Sequence, residues 1–314
     1  MQPQDPVVIA IVGPTCTGKT SLSLQLAKSL DGEIVACDSR TIYKRMDIGT
    51  AKPSQAEQAI IRHHGIDVLE PKRFFTVAEY KELALEAINN IFERGKVPII
   101  CGGTGLYARA LLEGIDIPSI PPQPQLREYL NTLASEQGNL HLHEKLKTLD
   151  PVTANRLSVN DRRRIIRALE VSMVSGQAFS ALSVKGKVPF KTIWIGLCLK
   201  SRSLHKQLIV ERLKAQFTCG LKNEVVGLFA EPEFGEVLRS AVNYKEFLPY
   251  MDGKENLEYV FDQCVLHNFQ LARKQMTWFK ANKEIRWYEL DSTNQEKILS
   301  EVIDSYMTVV QKQL

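Results

Sequence analysis

Two kinds of hydrophobic pattern alternate along the chain. Short, almost wholly apolar runs occur at residues 7–12 (VVIAIV), 33–37 (EIVAC), 97–101 (VPIIC) and 191–199 (KTIWIGLCL), and a short final strand is expected near 285–290 (IRWYEL). Runs of this length with no polar alternation read as strands of a parallel sheet covered on both faces. Between them, apolar residues recur every third or fourth position. Leu22, Leu26 and Leu30 form one such stripe, and the segments 204–217, closed by Gly220, and 257–282 form others. Two capping boxes, Ser54-Gln-Ala-Glu57 and Thr76-Val-Ala-Glu79, open further helices, the second running to about Arg94 and stopping at Gly95. Strand and helix in alternation predict an α/β fold with a parallel sheet flanked by helices.

The pattern changes at 117–124 (IPSIPPQP), where proline excludes both helix interior and central strand. Polar helical stretches follow at 125–136 and 141–149. Asp150-Pro151 then has the form of an N-cap with proline at the first helical position. Asn160 or Asp161 caps another helix, with Ile165, Ile166 and Leu169 turned inward. This predicts a core built from 1–119 and 191–314, interrupted by an all-helical insertion over 120–190.

The first apolar run breaks into Gly13-Pro14-Thr15-Cys16-Thr17-Gly18-Lys19-Thr20, which fits G-x-x-x-x-G-K-[ST] between a strand and a helix. Glycines let backbone N–H groups curl around a polyphosphate, the helix start adds its positive dipole end, and Lys19 adds a full charge. Thr20 offers a hydroxyl to Mg²⁺ bridging the phosphates. The fold expected is therefore a P-loop NTPase-like sheet. A diphosphate ester and the tail of a nucleotide such as ATP present the same oxygens to such a loop.

The second strand delivers Asp38-Ser39-Arg40-Thr41 at its carboxyl end, beside the first loop in an open α/β sheet. The third apolar run, 97–101, exits into a second glycine turn, Gly102-Gly103-Thr104-Gly105, at the same edge. Asp38 suits two chemistries. It could hold Mg²⁺ or a hydroxyl substrate in a small-molecule kinase, although no later strand supplies the usual second acid. It could instead be a general base taking a proton from a weakly nucleophilic amine, such as that of adenine, as diphosphate departs.

Composition narrows the class without choosing between these. The chain has 314 residues, 44% hydrophobic and 24% charged, which is globular rather than disordered or fibrous. Formal charge is only +4, so a polyanionic partner rests on where the cations lie. Four of them crowd into Arg162–Arg167, with Arg163, Arg164 and Arg167 sharing a helix side by spacing, which reads as a nucleic-acid backbone contact. The six cysteines are scattered without a C-x-x-C pair, so a reducing compartment with no structural zinc is expected. The start, MQPQDP, has no signal-peptide form, and no run approaches the roughly 20 apolar residues of a membrane span. A cytoplasmic protein is the expectation.

Taken together, GPTCTGKT at Gly13, DSRTIYKRMDIGTAKP at Asp38, HHGIDV at His63, GGTGLY at Gly102, NDRRRIIRALEV at Asn160, VNYKE at Val242 and KQMTWF at Lys274 resemble the tRNA dimethylallyltransferase (tRNA isopentenyltransferase) family of bacterial type, in the family's order. The resemblance implies transfer of a dimethylallyl group from dimethylallyl diphosphate to N6 of adenosine 37, in tRNAs reading codons that begin with U. By the same resemblance, Thr15 to Thr20 hold the diphosphate with Mg²⁺, Asp38 is the base, and Arg212 assists at the diphosphate. Asp38, Ser39, Arg40 and Thr41 would touch the target nucleotide, while Thr104, Arg127, Arg163, Arg164 and Arg167 would contact tRNA. The inserted domain would grip the anticodon stem-loop, with the target base flipped into a channel. A monomer is expected.

The chain departs from the family pattern at four places. Thr41 stands where glutamine is usual, Leu208 where an arginine is common, Asn243 where glycine precedes Tyr244-Lys245-Glu246, and His267-Asn268-Phe269 where a Thr-Arg pair is typical. A prenyltransferase acting on free adenine nucleotides is the main alternative, and a small acceptor would need neither the insertion nor the arginines.

Overall fold

The computed structural model describes residues 6–115, 118, 120–183 and 186–312. The polar start at 1–5 and part of the proline-rich segment, 116–117 and 119, lie outside the described residues. The chain forms two compact units, Met1–Ala108 with Pro189–Leu314, and Arg109–Val188.

In the first unit, β1 (Val7–Val12), β2 (Gly32–Ala36), β3 (His63–His64), β4 (Val97–Gly102), β5 (Lys191–Cys198) and β6 (Arg286–Glu289) make one sheet in the order β3-β2-β4-β1-β5-β6. Every neighbouring pair is parallel. The helices are α1 (Lys19–Ser29), α2 (Gln55–Ile60), α3 (Val77–Glu93) and α4 (Gly105–Leu112). The second unit holds α5 (Pro124–Leu149), α6 (Pro151–Ala154), α7 (Arg162–Ser175) and α8 (Phe179–Leu182). After β5 come α9 (Arg202–Thr218), α10 (Leu221–Phe229), α11 (Gly235–Arg239), α12 (Leu248–Met251), α13 (Leu257–Lys280) and, after β6, α14 (Gln295–Gln311). The flanked parallel sheet is the P-loop NTPase-like arrangement expected.

All of β1 is buried because helices cover both faces. Leu22 and Leu26 of α1 join Ile298 and Val302 of α14 over Ile9, Ile11 and Ile195. Each such side chain contributes about 1.5–3 kcal/mol on burial. A second cluster packs Ile42, Tyr43 and Met46 against Ile209 and Leu213 of α9 and Val260 and Cys264 of α13. That cluster draws α9 and α13 to the segment that follows Asp38.

The strand ends are level. Val12 lies opposite Gly102 on one side and Gly196 on the other, and Ala36 lies opposite Cys101. The connections after β1, β2 and β4 therefore leave the sheet at one edge, as a parallel topology requires.

Several local details differ from the sequence reading. Strand β3 pairs Ile34 with His63 and Val35 with His64, and two residues are too few to show a period. The second unit begins at Arg109, inside α4, and not at 120, because the helix crosses the boundary without any change in composition. Within α5 the chain leaves helical geometry at Gly138 (φ 83°, ψ 160°), in the gap expected between two helices. Asp150 is fully buried and caps α6 through Thr153 N at 3.0 Å. Asp161 occupies the N-cap position of α7 without making a capping bond, and pairs with Arg164 at 3.2 Å. Both capping boxes form, and all six cysteines are free.

Candidate active site

The loop after β1 is shaped by its own residues. Gly13 has φ +142°, and a Cβ there would collide with Leu197 O of β5, so only glycine lets the loop pass the neighbouring strand. The Thr17 hydroxyl, buried, donates to Pro14 O at 2.8 Å, and Lys19 Nζ donates to the same carbonyl at 2.5 Å. Gly18 forms the N-cap of α1, whose first-turn amides have no helical carbonyl to bind. Those amides and Lys19 make an anion cradle. Cys16 is half-buried in the bend, and Thr20 is exposed on the first turn of α1.

Thr15 is held from three directions. Its N–H donates to Gln275 Oε1 at 2.8 Å, its carbonyl accepts from His205 Nε2 at 2.8 Å, and its hydroxyl accepts from Arg212 Nη1 at 2.7 Å. His205 and Arg212 lie on α9, and Gln275 lies on α13. The carbonyl partner fixes the His205 tautomer with its proton on Nε2. Arg212 also donates from Nη2 to Asn268 Oδ1 at 2.9 Å, and its Nε is buried with no partner among the described residues. Two of its five N–H groups are thus engaged, both by neutral acceptors.

Asp38 leaves β2 beside this loop. Its Oδ1 accepts from Arg40 N at 2.8 Å and Thr41 N at 3.4 Å, a local turn that fixes the carboxylate. Oδ2 accepts no hydrogen bond among the described residues. The second glycine turn packs tightly alongside, with Thr104 N donating to Cys37 O at 3.1 Å and Ser39 N donating to Thr104 Oγ1 at 3.0 Å. A Cβ on Gly103 would strike the Gln275 amide, so this turn closes against α13. The Arg40 guanidinium donates to Ser240 Oγ at 3.1 Å and Ser240 O at 3.0 Å. Thr41 is buried, and its hydroxyl has no partner among the described residues.

Electrostatics tie these residues together. Burial pulls the Lys19 ammonium below its ordinary value, while the nearby Asp38 charge pulls it up and Arg212 pulls it further down. Asp38, Lys19 and Arg212 therefore share one neighbourhood. Burial pushes the adjacent Cys37 thiol up to about 12, so it stays neutral and is no nucleophile.

In the second unit the arginines separate into two groups. Arg127 grips Glu170 with two bonds, at 2.8 and 2.9 Å, and Arg167 adds a third at 2.6 Å. Arg167 also donates to Pro118 O at 3.2 Å and Ile120 O at 2.9 Å, and Gln123 N donates to Glu170 at 2.7 Å. Glu170 is fully buried. Burial alone would raise its carboxyl, but the Arg127 guanidinium, the Gln123 amide and Arg167 outweigh that and hold it below its ordinary value. Arg163 and Arg164 are exposed, Arg164 beside Asp161. The single basic face expected from spacing is thus divided, because Arg167 and Arg127 are drawn to a buried acid.

The family profile described as IPP transferase matches residues 41–282. The chain belongs to the IPP transferase family. It is 39% identical to the tRNA dimethylallyltransferase of Halothermothrix orenii over 96% of this chain and 92% of that one. A tRNA isopentenylpyrophosphate transferase from Bacillus halodurans superposes with a TM-score of 0.71 at 32% identity, covering 98% of each chain. A eukaryotic dimethylallyltransferase acting on tRNA superposes with a TM-score of 0.78 at 25% identity, over 96% of this chain and 80% of that one. The profile match begins at Thr41, so the anion loop and Asp38 lie ahead of it.

In this IPP transferase, the sequence points to Arg212 but not to His205 or Gln275, which place the loop, and it marks Asn268 only as a departure from the family pattern. The KQMTWF motif gives no role to its glutamine. Glu170 carried a readable signal, since it lies four residues after Ile166 on the apolar side of α7, where a charge needs a partner.

Proposed function

We propose that this chain transfers the dimethylallyl group of dimethylallyl diphosphate to N6 of adenosine 37 in tRNAs reading codons that begin with U, forming N6-isopentenyladenosine. The observation that carries the proposal is Asp38. Its carboxylate is oriented by two backbone amides, keeps Oδ2 free, and stands beside an anion cradle that includes Lys19 and Arg212.

In the reaction, the N6 nitrogen attacks C1 of the dimethylallyl group, the C1–O bond breaks, and its electron pair leaves with diphosphate. Asp38 takes the N6 proton as the bond forms, which avoids a charged amine in the product complex. The loop amides from Thr15 to Thr20, Lys19 and Arg212 bind the diphosphate and stabilise its growing charge. Because Lys19 sits in a site that penalises its charge, an arriving anion restores what burial removed.

The donor set fits Mg²⁺ held mainly through the diphosphate. Thr20 supplies an exposed hydroxyl at the start of α1, and among the described residues no group of three His, Cys, Asp or Glu side chains is gathered for a metal. Mg²⁺ is commonly bound in this way, through one or two protein oxygens, substrate phosphates and water. When bound it would neutralise charge on the leaving diphosphate.

The acceptor base would lie over the segment Asp38, Ser39, Arg40 and Thr41, with Thr104 fixing Ser39. In the helical unit, Arg163 and Arg164 would meet an RNA backbone, and Arg127 and Arg167 act mainly by shaping the domain. No helix among the described residues is long and apolar enough to cross a membrane, and we place the chain in the cytoplasm as a monomer.

Incubation of the full chain with labelled dimethylallyl diphosphate and total tRNA, followed by mass analysis of the nucleosides, tests the proposal. Label in N6-isopentenyladenosine supports it. Label on AMP without tRNA, or phosphate transfer from ATP, overturns it.

A further inference from the structure

Asn243 and Asn268 sit far apart in sequence but meet in the interior, 3% and 1% exposed, with Asn268 Nδ2 donating to Asn243 Oδ1 at 2.6 Å. Every amide atom that fixes their orientation is accounted for. Asn268 Nδ2 also donates to Cys264 O at 2.8 Å, so both of its N–H groups are used and its Oδ1 must face Arg212 Nη2, at 2.9 Å. Asn243 Nδ2 donates to Gly49 O at 2.8 Å, which leaves its Oδ1 for Asn268. Flipping either amide would set donor against donor or oxygen against oxygen in a buried place, at the cost of unmade bonds.

The far end of this chain is firmly anchored. Glu224 accepts from Asp47 N at 3.0 Å, Ile48 N at 2.7 Å and Gly49 N at 3.0 Å, and it also accepts from the Tyr244 hydroxyl at 2.7 Å. The near end is Arg212 on the Thr15 hydroxyl. A continuous polar path therefore runs from the 47–49 turn through Asn243 and Asn268 to the guanidinium beside the anion loop.

The chemistry of the path is informative. Asn268 is neutral, so it orients Arg212 without cancelling its charge. A carboxylate at that position would hold the guanidinium equally well but would compete with an anionic ligand. We propose that Asn268 and Asn243 are positioning residues that hold Arg212 over the anion loop while leaving its charge for the diphosphate. This deepens the reading of Arg212 as a diphosphate ligand and rests on it.

The test uses the full chain, with inorganic pyrophosphate and Mg²⁺ as the calorimetric probe and steady-state transfer from dimethylallyl diphosphate to tRNA as the second readout. Asn268→Leu removes the acceptor and keeps the Arg212 charge. It should weaken pyrophosphate binding and raise KM for the donor about tenfold, the scale of one hydrogen bond to a charged group, with KM for tRNA unchanged. Asn268→Asp keeps the acceptor and quenches the charge, and should weaken pyrophosphate binding as well. Arg212→Ala combined with Asn268→Leu should be no weaker than Arg212→Ala alone, because both changes act through one guanidinium.

Should Asn268→Leu fail to fold, Asn243→Gly serves in the same cycle. Asn243 has φ 71°, a conformation glycine adopts freely, so that change removes the amide without backbone strain. Losses that add in the double variants, or full pyrophosphate affinity in the Asn268 variants, would overturn the proposal, as would a wild-type chain that binds no pyrophosphate. If the wild type binds pyrophosphate but transfers nothing to tRNA, the proposed reaction fails while the cycle still decides the role of Asn268.

Discussion

At the anion loop, the charged groups are held by neutral partners: Lys19 by the Pro14 carbonyl, Arg212 by the Thr15 hydroxyl and the Asn268 amide, and Asp38 by the amides of Arg40 and Thr41. In the helical unit, Arg127 and Arg167 are held by a buried carboxylate, Glu170. Both arrangements fix a side chain in place, but only the first leaves its charge uncancelled. Charge kept for a ligand is oriented by dipoles, and charge used for architecture is paired with its opposite. The same distinction separates Arg163, exposed on α7, from Arg167 on the same helix, while Arg164 is exposed but paired with Asp161 at 3.2 Å.

The contrast can be broken most sharply at Asp38. Asp38→Asn should lower single-turnover transfer by about 10²–10⁴, the usual range for a general base, with tRNA and pyrophosphate affinities nearly unchanged. A comparable loss of tRNA affinity would mean that Asp38 binds and does not catalyse. Next in size, Lys19→Ala should weaken pyrophosphate binding roughly 10–100-fold, on the scale of a charge-assisted bond, without lowering the melting temperature. Burial already disfavours that ammonium, so the fold gains little from it. A marked loss of stability would place Lys19 in the architectural class.

Glu170→Ala probes the other side of the contrast. It should destabilise the chain by about 2–4 kcal/mol, toward the lower part of the range for breaking a buried pair, because the Arg127 and Arg167 side chains are 40% and 28% exposed and can hydrate. Denaturant unfolding measures this. The Glu170 carboxyl is held below its ordinary value of 4.5, so its contribution is complete above that value and is lost as pH falls through the lower, folded value. The Glu170→Ala chain should accordingly show a shallower loss of stability in acid than the wild type. The smallest effect is expected at Arg163→Ala with Arg164→Ala. Stability should change by less than about 0.5 kcal/mol, while the slope of log affinity for tRNA against log salt flattens by roughly 1.5. An unchanged slope would remove α7 from the RNA contact.

Much of this was legible in the chain, for identifiable reasons. Covered parallel strands are largely apolar, so β1, β2, β4 and β5 announced themselves, whereas β6 is an edge strand that buries only Tyr288 and carries Arg286 and Glu289. The anion loop is local, eight consecutive residues from Gly13 to Thr20, and needs no tertiary information. The gap at Gly138 and the two capping boxes are local as well. What sequence did not reveal is non-local. Gln275 reaches Thr15 from 260 residues away, Arg212 from 197, and Arg127 reaches Glu170 from 43. Asn243 and Asn268 read as two separate departures from a family pattern, and only their 2.6 Å bond shows that they form one feature. Strand β3 owes its form to its pairing with β2, and two residues leave no period to read.

The most direct test of the account is a crystal structure of the chain with pyrophosphate. The account predicts the anion seated on the amides of residues 15–20 with Lys19 Nζ and Arg212 turned onto it, and the free Asp38 oxygen at its rim, facing the space an adenine amine would enter. Pyrophosphate bound elsewhere, or an Asp38 carboxylate turned away from the seated anion, would contradict it.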